Sequence, residues 1–242
     1  MSTKIIAFGN KARNGKDFLA SYMYNRTEWP KVILHFADRL YSEVTNKPRK
    51  FPLIYREKFN LYAENYKYFL LDNAISSTYI EAIDSNLHIK INDYFKRNQL
   101  ETEYWGMDDK DAEMLQIWGT QFRRKQDPNY WINCMDEDVA EIRRIDPNTI
   151  IYIANARFKN EVDWVWENSG VYINVMRWIS NTERFYADDR PRDHESEIDL
   201  DGYRADYYVS ALSGHIESLE HQGDIILSTL YIPIKNEETE LA

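Results

Sequence analysis

The first two dozen residues constrain the fold most strongly. Lys4 to Phe8 form a short apolar run of the strand type, the loop GNKARNG follows, and apolar residues then recur at helical spacing from Asp17 to about Tyr24. A strand, a glycine-containing loop and a helix in this order form the setting in which backbone N–H groups and a helix N-terminus bind phosphate. The alternative is an ordinary turn that carries a surface lysine.

The loop departs from the standard phosphate-binding pattern, in which four residues separate Gly from Gly-Lys and Ser or Thr follows. Five residues separate Gly9 from Gly15, but the frame is regular if Asn10 takes the first glycine position. Asn tolerates the left-handed backbone better than most residues. Lys16 would then reach the β- and γ-phosphates of a nucleotide. Asp17 stands where a hydroxyl normally binds Mg²⁺, and a carboxylate can also bind the metal or a metal-bound water.

Strands and helices alternate through most of the chain. The pattern predicts further strands at 32–36, 149–154, 171–176 and 206–210, and helices at 37–44, 111–124, 128–144, 160–168 and from about 213. Such alternation indicates an α/β fold in three layers, with about five parallel strands covered on both faces. We predict one domain over 1–242, with a mainly helical insertion at about 46–127. The aromatic residues of the insertion would either pack a core or stack on a base.

Composition narrows the class of partner. The net charge of -10 disfavours binding to a nucleic-acid polymer, whereas a small phosphate ligand needs only a local basic pocket. Cys134 is the single cysteine, so no intrachain disulfide can form; this fits a reducing compartment, and we interpret Cys134 as a packing residue. The sequence has no run of 18 apolar residues and no signal peptide before the first strand, so we expect a cytoplasmic protein without a membrane partner.

Five segments, in order, resemble the phage deoxynucleoside monophosphate kinases and their P-loop relatives. The loop KARNGKDF looks like the family's loop, in which Gly-Lys-Asp is the usual ending. The other segments are HFADRLYSEV, MLQIWGTQFRRKQDPNYWINCM, IIYIANARFKNEVDWVWENSGVYINVMR, and HESEIDL with ADYYV. The match covers about two thirds of the chain by this order of elements. The resemblance implies a P-loop kinase fold, with a lid at about 178–198.

The resemblance also implies an activity: transfer of the ATP γ-phosphate to a deoxynucleoside monophosphate, with Mg²⁺ as the metal. By this resemblance, the residues that bind ATP are Asn10, Ala12, Arg13, Asn14, Gly15, Lys16, Asp17 and Phe18, with Asp17 also beside the metal. The catalytic candidates are Lys16, Arg157 and Arg123. The substrate-binding candidates are Asp38, Arg39, Arg123, Arg124, Trp131, Asn155, Arg157 and Glu161. The lid candidates are Arg184, Arg190, Arg192 and His194.

Several of these residues have simpler interpretations. Asp38 could be a helix N-cap, and Arg123 with Arg124 could form a solvated face. The lid arginines could belong to a polar surface loop, and His194 with its neighbouring glutamates is weak evidence for a metal site. Two positions depart from the family: Asn155 stands where an Asp is usual, and Tyr41 where a Lys is common, with Arg39 nearby.

The sequence therefore leaves three functions open. The first is a deoxynucleoside monophosphate kinase, located in the cytoplasm of an infected host cell if the gene is a phage gene. The second is a P-loop kinase of another small phosphorylated metabolite; animal phosphomevalonate kinase has a similar loop. The third is a nucleotide-binding protein without turnover, which Asn155 would suit. We expect small nucleotides as partners, and a homodimer is the assembly to be considered.

Overall fold

The structure is a computed structural model, and it describes residues 4–40, 115–187 and 192–235. The chain divides into two compact units, Met1–Phe36 with Met135–Ala242, and Ala37–Cys134. Most of the expected insertion lies outside the described residues, as do Tyr41 and Arg190. No helix in the described ranges combines the length and apolar character needed to cross a bilayer.

The first unit contains a five-stranded, wholly parallel sheet with helices between its strands. Its strands are β1 (Ile5–Gly9), β2 (Lys31–Leu34), β3 (Ile150–Ala156), β4 (Val171–Trp178) and β5 (Tyr207–Leu212). The helices are α1 (Lys16–Arg26), α2 (Tyr130–Ile145, which begins in the second unit), α3 (Lys159–Glu167), α4 (Glu195–Ile198) and α5 (Ile216–Thr229). This architecture is the three-layer α/β fold predicted from the alternating pattern.

The spatial order of the strands is β2-β3-β1-β4-β5, so β1 lies in the middle of the sheet. Ile5 of β1 pairs with Ile151 of β3, and Ile6 pairs with Val171 of β4. The chain leaves β1 toward one edge to form β2 and β3, and it then crosses β1 to form β4 and β5. In open α/β sheets, ligands bind where the chain reverses direction in this way, beside the carboxyl ends of the strands. The loop after β1 lies at that point.

The central strands carry apolar side chains on both faces of the sheet, which explains why both faces are covered by helices. On one face, Phe8 and Tyr152 pack with Leu19 and Met23 of α1 and with Leu227 of α5. On the other face, Val162 and Val165 of α3 are fully buried, and the backbone at Gly170 lies against Val165 and Ile5. Each buried aliphatic or aromatic side chain of this kind contributes about 1.5–3 kcal/mol relative to exposure.

Several predicted boundaries need correction. The second strand ends at Leu34 rather than at Phe36, because the backbone N–H of Phe36 bonds the Asn155 side chain instead of a neighbouring strand. The helix expected to start at Pro128 starts at Tyr130. Within 178–198, the predicted lid, the four-residue helix α4 forms.

In the second unit, the predicted helix over 111–124 is a π-helix in its described part, Ile117–Arg124. Trp118 and Phe122, four positions apart on this helix, are buried. The backbone at Gly119 lies close to the side chain of Leu40, because a Cβ at Gly119 would be 2.9 Å from its Cδ2. π-helical turns are rare and occur often at functional sites.

Candidate functional site

The loop between β1 and α1 has the conformation that the sequence predicted. Gly9 ends β1 and must be glycine, because a Cβ there would lie 2.6 Å from the Tyr172 ring and 2.8 Å from the carbonyl oxygen of Ala156. Asn10 has φ 111°, so it does occupy the left-handed position predicted for it. Gly15 has φ 93° and caps α1 without a side-chain hydrogen bond.

The absence of a side-chain cap at the start of α1 matters for anion binding. The first N–H groups of an α-helix have no partner within the helix, and the N-cap residue Gly15 has no side chain with which to cap them. Backbone N–H groups of this kind, together with the helix dipole, attract anions. The loop therefore presents its backbone donors at the carboxyl end of the central strand.

Lys16 brings a cation into the same loop. Its side chain is buried, and its ammonium group donates a 2.8 Å hydrogen bond to the carbonyl oxygen of Lys11. The lysine thus folds back over the loop and does not extend into solvent. Its charge lies within the loop that would surround the phosphates.

Side chains from three other strands and loops converge on the loop. Asn10 donates a 2.6 Å bond to Asn174 in β4, and its oxygen accepts a 2.8 Å bond from Arg184. Glu197 accepts a 2.9 Å bond from the backbone N–H of Ala12 and a 2.9 Å bond from Arg157. Of the predicted residues, the structure therefore brings Asn10, Ala12, Lys16, Arg157 and Arg184 together.

Lys11, which the sequence did not single out, anchors the loop. Its buried ammonium pairs with Asp201 at 2.7 Å and bonds the carbonyl oxygen of Glu197 at 2.5 Å, and it lies 5.6 Å from the centre of the Tyr186 ring. A lysine whose ammonium group makes this many contacts within the protein is a structural residue. The acidic segment from Glu197 to Asp201 is thereby attached to the phosphate loop.

Asp17 is the predicted metal neighbour. Its carboxylate is mostly exposed and lies 3.9 Å from Nε2 of His35, which follows β2. One exposed carboxylate beside phosphate oxygens suits Mg²⁺, which keeps most of its waters and uses few protein ligands. Among the described residues, no group of three or more His, Cys, Asp and Glu side chains could hold a metal ion by itself.

Three predicted residues have structural contacts. Asn155 accepts a 2.9 Å bond from the N–H of Phe36, and buried Glu161 accepts bonds from the N–H groups of Arg157 at 2.7 Å and of Phe158 at 3.2 Å. His194 caps α4 by accepting a bond from the N–H of Ser196. These contacts hold the backbone at the end of β2 and at the starts of α3 and α4.

A cavity of about 350 Å³ adjoins the loop. Arg13, Asn14, Gly15 and Phe18 of the loop and α1 form one wall, and Ala211 to Ile216, from the end of β5 to the start of α5, form another. Arg177 crosses this region, because its Nε donates to Ser213 at 2.9 Å and its guanidinium lies 4.2 Å from the Phe185 ring. The lining is mainly apolar, as is usual in small-molecule binding pockets.

The buried polar groups around the loop are not all satisfied. The side-chain amide of Asn14 and the hydroxyl of Tyr172 are buried, and no partner in the described residues bonds them. Burial raises the pKa of the Tyr172 hydroxyl, so this group stays protonated at neutral pH. Unsatisfied buried groups of this kind are costly, and a functional role is one of the reasons for which proteins keep them.

The remaining predicted residues belong mainly to the second unit. Asp38, Arg39, Arg123, Arg124 and Trp131 all fall within Ala37–Cys134. Within this unit, the Arg123 guanidinium lies between 4.8 and 5.2 Å from the ring centres of Trp118, Phe122 and Tyr130, and Trp131 donates to the carbonyl of Gly119 at 3.1 Å. Arg192 lies over the ring of Tyr186, which is in the first unit.

Comparison with known proteins adds little to this geometry. No family model matches the chain, and no curated protein matches it. The crystal structure of TT1252 from Thermus thermophilus aligns with a TM-score of 0.44 at 13% identity, covering 95% of this chain and 99% of that chain. The interpretation of the site therefore depends on the contacts within this chain.

Proposed function

We propose that the protein is an ATP-dependent deoxynucleoside monophosphate kinase of the P-loop type, which acts in deoxynucleotide biosynthesis. The observation that carries the proposal is the loop between β1 and α1, with its positive-φ residues Asn10 and Gly15, its uncapped helix and the inward-folded Lys16. The resemblance of the five sequence segments to phage kinases of this class supports the choice of acceptor.

The proposed binding of ATP uses two adjoining parts of the first unit. The loop amides and Lys16 hold the β- and γ-phosphates. The base enters the apolar cavity between Phe18 and the turn after β5, because this cavity borders the loop directly. Arg177 closes one side of the cavity. The distribution of polar and apolar groups thus matches the two ends of a nucleotide.

The proposed reaction moves one phosphoryl group. A phosphate oxygen of the acceptor forms a bond to the γ-phosphorus of ATP while the bond from that phosphorus to the β–γ bridging oxygen breaks, which leaves ADP and the diphosphate. Phosphoryl transfer depends mainly on positioning and on stabilising charge. Arg157, at the end of β3, and Arg184 are the cations that the first unit places beside the loop. Mg²⁺ bound near Asp17 would neutralise charge on the β- and γ-phosphates.

Acceptor recognition is assigned to the second unit. Its Arg123 is held among three aromatic rings, which fixes the planar guanidinium that can bind a phosphate with two parallel hydrogen bonds. Asp38, Arg39, Arg124 and Trp131 are the further acceptor-side candidates of this unit. Asn155 and Glu161 are omitted from the substrate contacts, because backbone N–H groups already bond their side-chain oxygens.

A second candidate is a nucleotide-binding protein without turnover. The observation in its favour is Asn155, which is neutral and holds the N–H of Phe36. A carboxylate at this carboxyl edge could bind the metal or the acceptor, whereas an amide lacks that charge.

A coupled assay of ADP release, with Mg²⁺, ATP and each of the four common deoxynucleoside monophosphates, tests the proposal. We expect turnover with at least one acceptor and little ADP release without any acceptor. ATP binding without turnover on any acceptor would contradict the kinase proposal and favour the second candidate. Turnover only on phosphate esters that carry no base would favour a metabolite kinase.

A further inference from the structure

The carboxylate of Glu197 joins two parts of the site that come from distant segments of the sequence. One oxygen accepts from the backbone N–H of Ala12 in the phosphate loop, at 2.9 Å, and the other accepts from Nη1 of Arg157, also at 2.9 Å. The Glu197 side chain is only 6% exposed and that of Arg157 only 18%. This contact is therefore a mostly buried, charge-assisted pair rather than a surface ion pair.

The segment that carries Glu197 is itself fixed on both sides. Asp199 accepts a 2.7 Å bond from the N–H of Lys159, in the first turn of α3, and Asp201 pairs with the buried ammonium of Lys11. The backbone carbonyl of Glu197 also accepts from Lys11. Three acidic residues, spaced two apart, thus attach one short segment to the loop and to the start of α3.

We propose that Glu197 is a positioning residue, which holds Arg157 against the phosphate loop so that the guanidinium lies beside the transferred phosphoryl group. This inference rests on the proposed function for the identity of the ligand. Glu197 acts through Arg157 and through the loop, and it does not contact the substrate. The charge of Glu197 also balances that of Arg157, so Glu197 contributes by geometry. A planar guanidinium that is already fixed at one end loses less entropy when it binds phosphate.

Glu197→Gln tests this role with little change in volume. An amide offers one oxygen and one NH₂ group, whereas Ala12 and Arg157 both present donors, so at least one contact is lost. Glu195→Gln is the matched control, because it removes the same charge from the same helix α4 at an exposed position.

The first measurement needs no nucleotide. We expect amide hydrogen exchange of Ala12, followed by NMR in the ligand-free protein, to accelerate at least about tenfold in Glu197→Ala, which removes both acceptor oxygens, and to stay unchanged in Glu195→Ala. Unchanged exchange in Glu197→Ala would overturn the proposal, whatever the protein's activity. Faster exchange in a protein that lacks all kinase activity would refute the proposed reaction while leaving the contact between Glu197 and the loop established.

The second measurement separates positioning from a general structural role. We expect Glu197→Gln to lower kcat about tenfold or more with a smaller change in KM for ATP, and to lower kcat by a clearly smaller factor in an Arg157→Ala background, where only its contact with the loop remains. Fully multiplicative effects of the two substitutions would overturn the proposal. Tighter ATP binding with undiminished kcat would also overturn it, since Glu197 would then be an anion that competes with the γ-phosphate.

Discussion

The ammonium group of Lys16 donates a 2.8 Å hydrogen bond to the carbonyl oxygen of Lys11, five residues earlier in the same loop. This bond holds the cation inside the loop before any ligand binds. It also requires the tight backbone path between the two residues, in which Arg13 and Gly15 both have positive φ. The loop backbone and the position of the charge therefore depend on one another.

Replacement of Gly15 tests that dependence. An alanine at φ 93° is strained, and its Cβ would lie 3.1 Å from the Leu219 side chain, so we expect Gly15→Ala to cost about 1–2 kcal/mol of stability and to weaken ATP binding at least about tenfold. Gly202→Ala is the control, since its φ is 72° and no atom lies within 4 Å. Chemical denaturation and calorimetry measure both quantities. Equal ATP affinity in the two variants would argue against a role for the loop conformation.

If the base binds in the cavity beside the loop, substitutions at two isoleucines of α5 should affect MgATP binding differently. Ile216 lines the cavity and is 47% exposed, whereas Ile225 is 51% exposed and is not part of the lining. We expect Ile216→Asp to weaken MgATP binding about tenfold, because it places a carboxylate where the base would lie, and Ile225→Asp to change it less than twofold. Equal effects of the two substitutions would mean that the base binds elsewhere.

Asn155 should contribute to stability through its bond to the N–H of Phe36. We expect Asn155→Leu to cost about 1–3 kcal/mol, because it leaves this partly buried N–H without an acceptor. Asn155→Asp keeps an acceptor oxygen and should cost less than about 1 kcal/mol. Urea denaturation compares the three proteins. A leucine variant as stable as the parent would show that the bond does not matter.

Stability should fall in alkaline solution because of Tyr152. Burial raises the pKa of its hydroxyl from 10.0 to about 12, and the hydrogen bond with Thr27 offsets part of this rise. Between these two pH values the unfolded chain loses a proton that the folded protein keeps, so stability is lost as pH rises from about 10 to 12, by up to about 1.4 kcal/mol per pH unit for this group.

Tyr152→Phe removes that titrating group. We expect a shallower loss of stability above pH 10 in the variant than in the parent, measured by urea denaturation at a series of pH values. Buried Tyr172 keeps its own raised pKa in both proteins, so some loss should remain. Identical pH profiles would show that Tyr152 titrates alike in the folded and unfolded states.

The sequence was sufficient to predict the sheet and the left-handed position of Asn10 in the loop after β1. Apolar strands such as IIYIANA alternate with helices, and Asn10 was the only residue that restored the four-residue spacing, so both predictions depended on local patterns. The π-helix was not predictable in the same way, since Ile117–Arg124 has ordinary helical spacing of its apolar residues. A π turn depends on the packing of neighbouring segments, which local spacing does not report.

Long-range contacts account for the other omissions. Lys11 and Glu197 are 186 positions apart, and nothing local distinguishes them from surface charges. Asn174 gave a signal that could have been used, since it is a polar residue inside the apolar strand VYINVMRW. A buried polar side chain in a central strand needs a partner, and its partner is Asn10 of the loop.

The most direct test of the central claim is an equilibrium titration of MgATP into the parent protein, Lys16→Ala and Lys235→Ala, by calorimetry. Lys235 is exposed and serves as the control for loss of one positive charge. We expect saturable binding to the parent and to Lys235→Ala, and an affinity lower by roughly ten- to hundredfold in Lys16→Ala, since a charge-assisted contact is worth about 1.5–3 kcal/mol. Equal affinity in all three proteins, or no binding to the parent, would contradict the assignment of this loop as a nucleotide phosphate site.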